Sequence, residues 1–110
     1  LMKWIYLIIA IITEVIATSA LKESQGFSKI IPSIVVITGY SLTFYFMSLT
    51  LKEMSVGITY AIWSGMGILL ISLIGYFRYN QVLDSAAILG MSFIATGIII
   101  LRFFSKSLDL

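Results

Sequence analysis

Residues 4–21 read WIYLIIAIITEVIATSAL, an unbroken apolar stretch held between Lys3 and the pair Lys22-Glu23 and carrying a single acid, Glu14. A hydrocarbon core about 30 Å thick is crossed by roughly 20 helical residues at about 1.5 Å each. The stretch is therefore long enough to span a membrane as a helix. Three similar stretches follow: residues 31–51 between Lys29 and Lys52-Glu53, residues 56–77 ending at Arg78, and residues 85–104 after Asp84. Lipid offers no partner for an unpaired backbone N–H or C=O, which leaves helices and closed barrels as spanning structures. Barrel strands alternate polar and apolar residues, and these runs do not. The predicted fold is all-α: a single four-helix transmembrane domain over residues 1–110, with spans near 4–21, 31–51, 56–77 and 85–104.

Composition agrees. Of 110 residues, 60% are hydrophobic and 11% charged, with a mean hydropathy of +1.09. A water-soluble domain carries about 25% charged residues to cover its surface. The net charge of +2 is scattered, which excludes a nucleic-acid footprint despite a pI near 9.0. With neither Cys nor His, zinc sites, disulfides and His- or Cys-based catalysis are excluded. No phosphate-cradling Gly-Lys loop is present. No cofactor, metal or enzymatic activity is expected.

The connectors are short. Gly26 is expected as a left-handed stop after the first helix. Pro32 falls in the first turn of the second, and Asp84-Ser85 can cap the fourth. A removable leader is the alternative reading of the first span, since Ala17-Thr18-Ser19 loosely resembles a cleavage site; the internal acid and the spanning length argue against it. Lys/Arg bias sets orientation, yet the two sides carry four (Lys3, Lys52, Arg102, Lys106) and three (Lys22, Lys29, Arg78) such residues. So even a split permits insertion both ways up, and hence a homodimer of oppositely oriented copies; a single orientation is the alternative.

Glu14 is the one ionisable acid or base deep inside a span. A charge there costs a few kcal/mol unless it faces a cavity or a partner. No Lys or Arg lies at matching depth, so the bare carboxylate lacks an internal countercharge and takes up either a proton or an external cation. That choice is the minimal machinery of an antiporter; a permanently protonated, hydrogen-bonded Glu14 is the structural alternative. Leu7, Ala10, Ile11, Ala17 and Thr18 share its helix face, and the small members leave space. Tyr60, Trp63 and Ser64 on the third span and Tyr40 and Phe44 on the second offer polar and aromatic groups. Aromatic faces attract desolvated, quaternary-type cations. Trp4, Tyr6, Tyr76 and Tyr79 read instead as interfacial anchors.

The fourth span carries Ala86, Gly90 and Gly97 on one stripe, suited to close contact with a second copy of the chain or with another helix of the same chain. Gly65 and Gly67 sit mid-span in the third, where they permit either a bend or tight packing.

The residues Ile12-Thr13-Glu14-Val15-Ile16-Ala17-Thr18, the run Gly57-Ile58-Thr59-Tyr60-Ala61-Ile62-Trp63-Ser64-Gly65-Met66-Gly67, and the Gly90/Gly97 pair together resemble the small multidrug resistance (SMR) family of bacterial exporters, over nearly the whole chain. The resemblance implies a multi-pass protein of the bacterial inner membrane, working as an antiparallel homodimer that exchanges protons for lipophilic organic cations. It implies Glu14 as the shared proton and substrate site. Trp63, Tyr60 and Tyr40 would line the chamber with Thr18 close by, and Gly65, Gly90 and Gly97 would serve bending and dimer contact. The family often has Tyr where this chain has Trp4, another aromatic able to wall a cavity, and Pro where it has Ser55. Guanidinium exporters of the family tend to carry Trp soon after the acid and Thr before the mid-helix glycines; Ile16-Ala17-Thr18 and Ser64 look more like the multidrug, quaternary ammonium branch. The expected function is proton-coupled export of hydrophobic cations. Its rivals are a guanidinium-type exporter, a non-transporting small membrane subunit whose partner supplies a base to Glu14, and a passive cation channel.

Overall fold

The computed structural model describes residues 2–108. Four helices account for most of them: α1 (Met2–Glu23), α2 (Ile30–Thr50), α3 (Val56–Arg78) and α4 (Ser85–Phe104). Each is long and apolar enough to cross a bilayer. Their ends fall within two residues of those read from the charges, because a charged residue marks where the chain can leave lipid.

The chain divides between Glu53 and Met54 into two compact units. In the first, α1 packs on α2. The contact is antiparallel: Thr13 meets Thr43 and Ala17 meets Gly39, so one number rises by four as the other falls by four. Ala10, Ala17 and Ala20 are buried, whereas Ile5, Ile8, Ile12 and Ile16 point outward. Leu7, Ile11 and Val15 are buried on the same helix, and the three alanines among them suit a lipid solvent. There, helices gain by close backbone approach rather than by hiding apolar surface.

The α1–α2 connection is a tight left-handed turn in which Gln25 (φ 47°), Gly26 (φ 72°) and Phe27 (φ 65°) all adopt positive φ. Gly26 was the expected stop; its two neighbours share the conformation at a cost of roughly 1–2 kcal/mol per non-glycine residue. Ser24 is what holds them. Its carbonyl accepts from the N–H groups of Ser28 (2.9 Å) and Lys29 (3.2 Å). Its hydroxyl donates to the Leu21 carbonyl (2.8 Å) and accepts from the Phe27 N–H (3.1 Å).

In the second unit α3 packs on α4. Gly65 makes that possible, since a Cβ there would lie 2.8 Å from Ile98 Cδ1 and 3.3 Å from Ile94 Cγ2. Helix α3 ends at Arg78 and is followed by Asn80 in the left-handed region (φ 56°), with the Gly75 carbonyl accepting from Tyr79 (3.2 Å) and Gln81 (3.0 Å). The Gln81 side chain fills the space beside Gly75. Asp84 caps α4 by accepting from the Ala87 N–H at 2.8 Å. The segment after α4 folds back onto the start of α3. Ser55 donates its N–H to the Leu108 carbonyl (3.0 Å) and its hydroxyl to the Ser107 carbonyl (2.9 Å).

Candidate functional site

Glu14 stands about 18 Å along α1 from its first residue and about 14 Å from its last, at about 1.5 Å per residue, which puts it near the middle of a helix of membrane-spanning length. The two carboxylate oxygens have different surroundings. Oε1 accepts a hydrogen bond from the Thr18 hydroxyl at 2.8 Å, one helical turn away. Oε2 is shut from solvent and has no hydrogen-bond partner.

The Thr18 oxygen also lies 2.7 Å from the Tyr40 hydroxyl on α2. Thr18 has one proton, and a carboxylate can only accept, so the proton goes to Glu14. The Tyr40 O–H must then donate to Thr18. The result is a directed chain, Tyr40 to Thr18 to Glu14, in which each bond polarises the next. It supports the carboxylate from one side and leaves Oε2 without a partner. A half-buried carboxylate with one oxygen shut from solvent and unsatisfied is unfavourable. The position is chemically suited to a proton or to a cation.

Gly39 brings Tyr40 into reach. A Cβ at Gly39 would lie 2.8 Å from Ala17 Cβ and 3.2 Å from the Thr13 carbonyl, so the two backbones approach as closely as glycine allows. Tyr40 and Phe44, one turn apart, stack with ring centroids 6.4 Å apart and an interplanar angle of 21°. Phe44 is 62% exposed, and Ala10 is fully buried on the Glu14 side of the core. Trp4 stands about 15 Å from Glu14 along α1, and the structure does not bring the two together.

The second unit holds the other aromatic candidates. Tyr60 and Trp63 lie with centroids 5.4 Å apart, tilted by 59°. Ser64 donates its hydroxyl to the Tyr60 carbonyl at 2.7 Å. Trp63 Nε1 and, one turn earlier, Thr59 Oγ1 are shut from solvent without hydrogen-bond partners. Helix α3 runs unbroken through Gly65 and Gly67, both buried. Around Gly90 and Gly97 an added Cβ would meet nothing within 4 Å, and none of the described residues of α4 is buried.

Sequence reasoning missed Thr13, Gly39 and Thr43. Their signal was the pairing of small or hydroxyl residues at four-residue spacing on both helices, Thr13/Ala17 against Gly39/Thr43.

A family profile described as "Small Multidrug Resistance protein" matches residues 2–94. A quaternary ammonium compound-resistance protein of Escherichia coli, QacE, is 50% identical over 104 residues, covering 94% of this chain and 94% of the relative. One of Klebsiella aerogenes, QacF, matches at the same identity and coverage. A multidrug transporter of Pseudomonas aeruginosa is 46% identical over 105 residues, 96% of each chain. With four helices of spanning length and a match over most of its residues, the chain belongs to the small multidrug resistance family, whose members are multi-pass membrane transporters and resistance proteins rather than enzymes.

Proposed function

We propose that this protein is a proton-coupled exporter of hydrophobic cations of the quaternary ammonium class. The observation that carries the reading is the asymmetry of Glu14: one oxygen bonded to Thr18, the other buried and unpartnered. The open oxygen takes a proton or sits against a cation, and not both. Mutual exclusion at that oxygen couples the two fluxes without ATP. Tyr40, joined to the carboxylate through Thr18, and Phe44, stacked on Tyr40, are proposed to offer aromatic faces to the cation, and Tyr60 and Trp63 are further proposed contacts for the substrate's apolar or aromatic groups. The names of the relatives, quaternary ammonium resistance proteins and a multidrug transporter, support the substrate class.

The working unit is proposed to be an antiparallel homodimer in the bacterial inner membrane, joining copies through Gly90 and Gly97 of α4 and flexing at Gly65 and Gly67. The even division of Lys and Arg between the two sides supports it, as does the open stripe on α4. Each chain contributes one four-helix transmembrane domain.

The test is uptake of tetraphenylphosphonium into proteoliposomes driven by a pH gradient. The native protein accumulates the cation and Glu14→Gln does not. Accumulation by Glu14→Gln, or cation flux without any gradient-driven exchange, overturns the reading. A preference for guanidinium over tetraphenylphosphonium reassigns the substrate.

A further inference from the structure

We propose that Thr13 and Thr43 are positioning residues: a hydroxyl clamp that sets the register of α1 on α2, holds Tyr40 on Thr18, and through Thr18 orients the Glu14 carboxylate. The inference rests on Glu14 being the proton and cation site.

Thr13 immediately precedes Glu14, and Thr43 lies three residues after Tyr40. Their Oγ1 atoms are 2.8 Å apart, and Thr43 is fully buried. Each hydroxyl already has a carbonyl of its own helix within reach. Thr13 Oγ1 lies 2.9 Å from the Ile9 carbonyl and Thr43 Oγ1 2.9 Å from that of Gly39. Helical threonines satisfy themselves in this way routinely, so neither needs a partner across the interface. Were both protons spent on carbonyls, two oxygens would face each other at 2.8 Å with no proton between them. One hydroxyl therefore donates to the other. Either Thr13 donates to Thr43, which donates to Gly39, or Thr43 donates to Thr13, which donates to Ile9. Both arrangements tie α1 to α2.

The position of the tie gives it a consequence. Thr13–Thr43 lies on one side of Glu14 along α1 and Thr18–Tyr40 on the other, the latter beside the close Ala17–Gly39 approach. A slip of one residue along the helix is about 1.5 Å. Across the 2.7 Å Thr18–Tyr40 contact such a slip stretches the bond to about 3.1 Å, and a slip of two residues, about 3 Å, stretches it to about 4 Å and out of hydrogen-bond range. The small residues at Ala17 and Gly39 permit sliding as readily as they permit contact. The clamp supplies the directional bond that they lack.

The test is a mutant cycle read by tetraphenylphosphonium affinity at fixed pH in detergent-solubilised protein. Thr43→Val replaces the hydroxyl by a methyl of similar shape. It is expected to weaken binding about 3- to 20-fold, the range spanned by single interhelical hydroxyl bonds in membranes. The penalty of Tyr40→Phe, several-fold in the native background, is expected to fall below about 2-fold in the Thr43→Val background, where Tyr40 is no longer placed. Thr43→Ser, which keeps the hydroxyl, is expected to restore native affinity. Thr13→Val removes the other half of the tie and answers the same question if Thr43→Val does not fold. An undiminished Tyr40→Phe penalty in either valine background, or native affinity in both valine variants, overturns the clamp. Glu14→Gln in the native background serves as the separate control. Retained proton release on cation binding there overturns the assignment of Glu14 and leaves the cycle to judge Thr13 and Thr43 alone.

Discussion

Thr18→Val removes the hydroxyl that joins Glu14 to Tyr40 while keeping the volume and β-branching of the side chain. In the native structure that hydroxyl donates to Glu14 Oε1 at 2.8 Å and accepts from Tyr40 at 2.7 Å. A hydrogen bond to a charged group is worth about 1.5–3 kcal/mol. The cation-bound state needs the charged carboxylate, so it loses that support in full. At about 1.36 kcal/mol per tenfold change, cation affinity at fixed pH should fall by about 10- to 150-fold. Tyr40→Phe removes only the outer link, a neutral bond worth about 0.5–1.5 kcal/mol, and should cost about 2- to 13-fold. Because the two links form one chain, the double variant should bind like Thr18→Val alone. Isothermal titration of the purified protein with tetraphenylphosphonium measures all three. Native affinity in Thr18→Val, or penalties that multiply in the double variant, would refute the directed chain.

Gly39→Ala and Gly65→Ala are expected to differ, although both place a Cβ at 2.8 Å from a neighbour. At Gly39 the neighbour is Ala17 Cβ, with the Thr13 carbonyl at 3.2 Å behind it, and neither can move without the helix. Overpacking there should cost about 1–3 kcal/mol and weaken cation binding with it. At Gly65 the neighbour is the free end of the Ile98 side chain, which can rotate away, so thermal unfolding should reveal a smaller loss. Ser55→Pro fits the backbone of that residue (φ −65°, ψ 144°) but removes both donors to Ser107 and Leu108; amide exchange across residues 105–108 should speed up while the helices stay protected. The Cβ added by Gly97→Ala meets nothing within 4 Å, so helix content by circular dichroism should be native while cross-linking between copies falls.

The helices were legible because lipid punishes charge wherever it falls: Lys3, Lys22, Lys29, Lys52, Arg78 and Asp84 mark where the chain leaves the membrane or enters it. Glu14 was legible for the same reason, as the acid that broke the rule. Its hydrogen-bond partners were only half legible. Thr18 follows from the helical repeat, whereas the Tyr40 contact depends on how closely α1 and α2 approach, and that is set by Gly39 and Ala17, residues common throughout membrane helices. Thr13 and Thr43 hid in the same way, because a helical threonine can spend its proton on its own backbone. The left-handed conformation of Gln25 and Phe27 was not foreseeable from residue type, since bulky side chains avoid it; the bonds to Ser24 impose it. The contact of Ser55 with Ser107 and Leu108 joins residues more than fifty positions apart and leaves no local trace.

The central claim is that one oxygen of Glu14 holds a proton or faces a cation, and never does both. Its most direct measurement is the pH change when tetraphenylphosphonium is added to the purified, weakly buffered protein. The account predicts that protons are released as the cation binds, and that Glu14→Gln releases none. Cation binding without proton release in the native protein, or the same release from Glu14→Gln, would contradict it.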